Sequence, residues 1–200
     1  KSPITRSIAM STVMSTITTR AASKRKGGGR TLVEVDEGHA YLGQDETAER
    51  FLERSYRVMR KFNVAMWMIT QQFGDFVKAK AGDAIIGNSP IKIFLRHQSG
   101  HDVVSEYFKL SDRAHQLFTN LQMKPGRYSD LFLKYADRFA TVRLALHPMA
   151  YWILTTDGDD KALIQRAIEK NAGLPRFEVL RQLALLYPQG APKGLTLGAA

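Results

Sequence analysis

Cysteine is absent from all 200 residues. That excludes disulfide scaffolds, thiol nucleophiles and cysteine-ligated zinc, and it is compatible with a reducing interior. No stretch approaches the roughly eighteen consecutive apolar residues of a membrane-spanning helix. The opening Lys1-Ser2-Pro3 has neither the apolar core nor the small-residue cleavage site of a signal peptide, so none is expected. Gly-Lys does not occur as a dipeptide anywhere. A phosphate-binding loop, which reads Gly, four residues, Gly-Lys and Ser or Thr, is therefore missing. Gly27-Gly28-Gly29-Arg30 does not replace it, because it precedes a strand instead of opening a helix. Gly-x-Ser-x-Gly is missing as well, which removes the hydrolase nucleophile elbow. Alone, the chain is not expected to bind ATP tightly.

Acidic residues are missing from residues 1–30, where seven basic side chains gather: Lys1, Arg6, Arg20, Lys24, Arg25, Lys26 and Arg30. The other 170 residues carry 22 basic and 19 acidic groups, so most of the net charge of +10 belongs to this first segment. Such a basic stretch meets phosphates, anionic headgroups or an acidic protein face, or is simply solvated. Hydrophobic residues at 44% and charged residues at 24% are those of a globular chain with a core.

Periodicity organises the rest. Ile4–Thr19 has the spacing of a packed helix, and the glycines after Ala21 read as a loop. Thr31–Val35 is a short β-rich run. From Gln44 to Phe62, apolar Ala48, Phe51, Leu52, Tyr56, Met59 and Phe62 recur at helical spacing among charged neighbours that include Glu49. Val64–Ile69 is apolar without alternation, the pattern of a strand covered on both faces. Strand, helix and strand within about forty residues make a βαβ unit and a parallel sheet. A helix over Asp75–Ile86 and a strand over Ile91–Leu95 extend the pattern, followed by helices at His101–Leu110 and Ser111–Leu121. Tyr128–Tyr135, Arg138–Leu146 and Tyr151–Thr155 read as antiparallel strands. Asp157 or Asp159 caps a further helix ending near Asn171-Ala172-Gly173, and Phe177–Tyr187 is a last amphipathic one.

Chemistry concentrates where strands stop. In open α/β sheets, ligands collect at the carboxyl ends of strands. Leu32-Val33-Glu34-Val35-Asp36-Glu37 delivers two carboxylates there. An Asp in that place can hold the water shell of Mg²⁺ while a Glu orients or deprotonates an attacking water. The next strand ends in Ile69-Thr70-Gln71-Gln72, and a Gln there can bond a γ-phosphate or its lytic water; the plainer alternative is a capping Thr70 with solvent-facing glutamines. Leu95-Arg96-His97-Gln98 closes the third strand. Of the five histidines (His39, His97, His101, His115 and His147), only His97 and His101 have ligand-like spacing. Met10, Met14, Met59, Met66 and Met68 are expected as core filler, and Trp67 and Trp152 as core residues of strands.

The run Leu32–Ala40, the helix end Tyr56-Arg57-Val58-Met59-Arg60-Lys61 and the stretch Ile69-Thr70-Gln71-Gln72-Phe73-Gly74-Asp75 together resemble the C-terminal ATPase domain of the large VirB-type (TraC-like) conjugation ATPases of type IV secretion systems. Asn88–Arg96 and the strand pair before Thr155-Thr156-Asp157 also look like that family, and the likeness covers about residues 4–175. The resemblance implies an α/β, RecA-like P-loop NTPase core, with parallel sheet and flanking helices, plus antiparallel strands toward the C-terminal part. It implies a motor, usually hexameric, at the cytoplasmic face of the bacterial inner membrane. Such a motor energises pilus assembly and the transfer of DNA or protein with ATP and Mg²⁺, alongside other secretion components.

Carried over, Asp36 serves the metal and nucleotide, Glu37 the lytic water, and Gln71 senses nucleotide. Arg96 reaches a neighbour's phosphates. Arg20, Lys24, Arg25, Lys26 and Arg30 are the candidates for nucleic-acid or partner contact. The missing Walker A segment lies upstream in that family, so the chain is expected to be a fragment of a larger motor. Its expected parts are a packed helix over 1–22, a basic glycine-rich loop over 23–30, the C-terminal part of the ATPase domain over 31–175, a terminal helix over 176–187 and a flexible tail over 188–200. Two other readings compete: a coupling-protein or FtsK-like DNA translocase, and a non-catalytic basic binding module.

Overall fold

β1 (Thr31–Val35) and β2 (Val64–Met68) are paired in parallel, with Thr31 opposite Val64 and Val35 opposite Met68. The connection between them is helical, as a parallel pair requires. It consists of a 3₁₀ turn at Gly38–Tyr41, helix α1 (Glu46–Val58) and a second 3₁₀ turn at Met59–Phe62. In this computed structural model the residues described are 12–13, 15–17, 19–20, 29–43 and 46–192. Met10, Met14, Lys24, Arg25, Lys26 and Gly27-Gly28 lie outside them.

Contacts divide the chain into two units. The first holds residues 1–92, 97–116 and 134–139, and the second holds 93–96, 117–133 and 140–200.

In the first unit, one face of the strand pair is covered. Val33, Met59 and Val64 are buried together, with Ile17, Val35, Phe51, Phe62 and Met66 packed against them. The other face carries Leu32 and Trp67, and Trp67 is 49% exposed. Two expectations are corrected here: β2 alternates instead of being covered on both sides, and Trp67 is not a core residue. An unbroken apolar run has no internal signal for which of its faces finds a partner.

Helix α1 buries Ala48, Leu52 and Tyr56 and shows its charges in the pairs Arg50–Glu46 and Arg57–Glu53, at 2.8 and 2.9 Å. Glu49 departs from that plan. It is buried, and its carboxylate accepts the Ala81 N–H at 2.8 Å and the Gly43 N–H at 3.3 Å. Two otherwise unpaired backbone donors justify a buried charge.

The helix expected over Asp75–Ile86 is broken into α2 (Gly74–Lys78) and α3 (Gly82–Gly87). Gly82 presses so closely on the Phe76 carbonyl that a Cβ would stand 1.7 Å from the oxygen, and Ala79 is extended. Phe73 packs on the rings of Phe76, Tyr107 and Phe108. α4 (His101–Phe108) and α5 (Asp112–Thr119) form as expected, with Ser111 Oγ accepting the Ala114 N–H.

β3 (Ile91–Phe94) does not extend the parallel pair. It lies in a separate sheet of order β3-β5-β4, where β4 is Met123–Lys124, β5 is Tyr128–Tyr135, and β6 (Arg138–Leu144) also pairs with β5. In the second unit, Phe94, Phe118 and Phe132 stack with ring centres 5.3 to 6.3 Å apart. The strand expected over Tyr151–Thr155 is part of helix α6 (Pro148–Leu154). Pro148 sits in its first turn, and the His147 ring accepts the Met149 N–H at 3.2 Å. Proline at the start of a helix has no N–H to satisfy, and a capped N-terminus overrides the β preference of Tyr-Trp-Ile.

α6, α7 (Gly158–Lys170) and α8 (Arg176–Leu186) enclose a core around Trp152, which is core as expected but on a helix. The Trp152 indole donates to the Tyr187 carbonyl at 2.8 Å.

Candidate functional site

A parallel pair ends its strands at the same edge, so the residues that follow β1 and β2 are neighbours by topology. The ladder continues past the strands: Ile69 N–H donates to the Val35 carbonyl at 2.9 Å, and Gly38 N–H to the Ile69 carbonyl at 2.7 Å. Between those two bonds the chain must turn. Asp36 Oδ1 accepts the Glu37 N–H at 2.8 Å, and Glu37 lies in the left-handed region with φ 51°. A non-glycine residue there is uncommon and is held by its surroundings. The next position has no room for a side chain, because a Cβ on Gly38 would stand 2.3 Å from Met68 Sδ and 3.1 Å from the Ile69 carbonyl. The 3₁₀ turn then closes with Ala40 N–H on the Glu37 carbonyl at 2.9 Å.

This backbone joins Glu37 to Gln71. The Gln71 side-chain amide donates to both carboxylate oxygens of Glu37, at 3.0 and 3.2 Å. His39 comes back to the same group, with Nδ1 at 3.2 Å from Glu37 Oε2. Glu37 keeps about half of its side chain in solvent (52%). The neighbouring Thr70 hydroxyl donates to Asp75 at 3.3 Å.

Asp36, Glu37 and Gln71 thus stand at one strand edge, 34 residues of sequence separating the last two. Arg96 stands exposed just beyond β3, and is a member of the second unit, as none of those three is. Arg20 and Arg30 are exposed. His97 and His101 have ring centres 6.2 Å apart, and burial, then the neighbouring His101, lowers the His97 pKa. Among the described residues, no cluster of three or more His, Asp or Glu side chains is arranged to hold a metal ion. Cavities of about 160 Å³ beside Leu42 and Lys78, and about 190 Å³ beside Pro125 and Leu146, are lined by none of Asp36, Glu37 or Gln71. The strand edge is an open rim.

Sequence reasoning passed over two contributors, Gly38 and His39. Their signal was positional: both directly follow the Asp-Glu pair.

Over residues 2–184 the chain matches the family described as the TraG P-loop domain. The chain belongs to the TraG P-loop domain family. It is 27% identical over 160 residues to the type IV secretion system protein CagE of Helicobacter pylori, covering 78% of this chain and 16% of that protein. It is 28% identical over 178 residues to the protein TraC of Escherichia coli K12, covering 82% of this chain and 19% of TraC. The chain therefore spans less than a fifth of the length of these two relatives.

Among solved structures, VirB4 of Thermoanaerobacter pseudethanolicus has a similar fold. Its TM-score is 0.50 at 23% identity, over 60% of this chain and 32% of that one. The expected resemblance and α/β fold class are both borne out. A parallel pair with flanking helices and additional antiparallel strands accords with a RecA-like core. Among the described residues, no helix is long and apolar enough to cross a membrane.

Proposed function

We propose that this TraG P-loop domain chain supplies the Walker B and sensor groups of a type IV secretion ATPase, within a longer protein that carries the phosphate-binding loop. The observation that carries the reading is the bond between Glu37 and Gln71 across the carboxyl edge of the parallel pair, at 3.0 and 3.2 Å. In this reading Asp36 holds Mg²⁺ through water, Glu37 polarises the attacking water, and Gln71 senses the nucleotide. Hard carboxylate oxygens at an open edge suit magnesium, which keeps several of its waters and takes other ligands from phosphate. The residues present fit the metal and water side of ATP hydrolysis. They do not fit the phosphates, since no Gly-Lys loop is present.

Glu37 would take the proton of a water whose oxygen bonds the γ-phosphorus of ATP as the bond to the ADP oxygen breaks, and Mg²⁺ held through Asp36 would offset the charge on the phosphates. Until then Gln71 keeps Glu37 oriented. A Gln71 amide that turns toward nucleotide would release the carboxylate, coupling occupancy to the strand end. Arg96 would complete the charge at a neighbour's phosphates in a hexamer. The parent would energise pilus assembly and the passage of DNA or protein at the cytoplasmic face of the inner membrane.

The deciding experiment is Glu37→Gln in the full-length protein. Turnover should fall at least about a hundredfold with ATP binding retained, the scale on which a positioned base contributes. Retained hydrolysis would overturn the assignment.

The seven basic residues of the first segment support an added role in contact with nucleic acid or an acidic partner. Neutralising Lys24, Arg25 and Lys26 should weaken DNA binding and flatten its salt dependence, by about one unit of slope for each phosphate no longer neutralised.

A further inference from the structure

Glu37 has a second neighbour that the ATPase reading leaves unused. Nδ1 of His39 is buried although the ring as a whole is partly exposed, and no aligned hydrogen-bond acceptor meets it. The polar group facing it is Glu37 Oε2, 3.2 Å away and off the line of a hydrogen bond. A buried ring nitrogen left unpaired is costly, and a carboxylate can only accept. A small swing of Glu37 would satisfy both. The approach follows from the backbone: Glu37 is left-handed, Gly38 is wedged under Met68 and Ile69, and Ala40 N–H closes the turn on the Glu37 carbonyl. The ring two residues on is thereby returned to the carboxylate.

We propose that His39 is a positioning residue for Glu37, donating from Nδ1 to Oε2 and fixing the direction of the carboxylate when the Gln71 amide lets go. This inference rests on the role given to Glu37 above. With Gln71 alone, the carboxylate would be held in the resting arrangement and free to rotate once released. With His39 behind one oxygen, the other is presented to water in a single orientation, and orientation is what a general base needs.

The test uses the full-length ATPase with three variants. His39→Leu keeps bulk and removes the donor; His39→Asn keeps a donor close to the place of Nδ1; Glu37→Gln serves as reference. His39→Leu should lower kcat about tenfold, the effect of one oriented, charge-assisted hydrogen bond, and leave KM for ATP unchanged. His39→Asn should recover most of the loss. In the Glu37→Gln background, His39→Leu should have no further effect on residual turnover. Wild-type kcat in His39→Leu would overturn the inference. So would a loss in His39→Asn equal to that in His39→Leu, or a loss expressed in KM. If Glu37→Gln itself turns over normally, the ATPase assignment fails; if Glu37→Gln is inactive and His39→Leu is unaffected, the assignment stands and the role of His39 alone falls.

Discussion

Glu37 and Asp160 are both carboxylates placed by a turn, and the protein holds them in opposite ways. Asp160, in the first turn of α7, is 2% exposed and accepts three protein donors: the Tyr151 hydroxyl at 2.5 Å, the Thr155 hydroxyl at 2.6 Å and the Ala191 N–H at 2.6 Å. Its own N–H is bonded to Asp157, which caps the helix. Glu37 is half in solvent and meets the Gln71 side-chain amide, which stands on an exposed residue, and one ring nitrogen. A carboxylate saturated by hydroxyl and backbone donors is fixed in the architecture. One held by an amide at an open edge can change partners. Fixed acidic groups occur in both units, since Glu49 in the first is buried on two backbone donors as Asp160 is in the second; Glu37 differs in standing at an open strand edge.

Substitution tests that contrast most directly. Asp160→Ala orphans three donors at once, two of them hydroxyls and one a backbone amide, and should cost about 3–5 kcal/mol. The measurement is urea unfolding followed by Trp152 fluorescence in a Trp67→Phe background, since Trp152 lies in the same core and Trp67 is exposed. A loss under about 1 kcal/mol would mean that Asp160 is no lock. Tyr151→Phe removes one donor only and should cost roughly 1–2 kcal/mol by the same assay.

The pH dependence gives a third, smaller effect. Asp130 accepts Arg143 through both oxygens, at 2.8 and 3.1 Å, and the N–H of Gln122 at 3.1 Å. The hydrogen bond from Arg143, ahead of the Gln122 N–H, lowers the Asp130 pKa, with burial opposing. A carboxyl depressed in the folded state contributes stability above its unfolded pKa of about 3.9, and that contribution is lost as pH falls through the folded value. Arg143→Ala should therefore lower Tm at neutral pH, with the difference from wild type narrowing below about pH 4. A gap that stays constant down to pH 2 would show that Arg143 acts through its stacking on Tyr128, whose ring centre is 3.8 Å from the guanidinium carbon. The smallest effect belongs to Glu37: Glu37→Gln should change stability by no more than about 0.5 kcal/mol, as for exposed sites away from the core. A large loss there would make Glu37 a structural residue and erase the contrast.

The βαβ unit was legible because its signals are local. The apolar stripe of α1, the β-rich run before it and the polar strand ends all read directly, and Asp36, Glu37 and Gln71 meet where the parallel topology brings them. What stayed hidden depends on contacts between distant segments. That β3 joins β5 and leaves β1 and β2 as a pair is decided by pairing, and Ile91–Phe94 carries no sign of which strand it meets. Glu49 reads as one more charge on a solvated helix; only the approach of Ala81 and Gly43 turns it inward. Pro148–Leu154 is short and continuously apolar, a length that suits a strand, and the cap at His147, Pro148 in the first turn and packing against α8 decide for helix. His39 gave no spacing pattern, because its partner is two residues away through a turn in which Gly38 packs closely under Met68 and Ile69.

The bond from the Ala191 amide to Asp160 has a practical corollary. Among the described residues the last helix ends at Leu186, and a boundary drawn from helices alone would invite trimming the protein soon after. Shortening it ahead of Ala191 would strip a donor from an enclosed anion some thirty positions upstream. Expression trials should therefore keep the polypeptide through at least Pro192, where recombinant yield and protease resistance would register the difference.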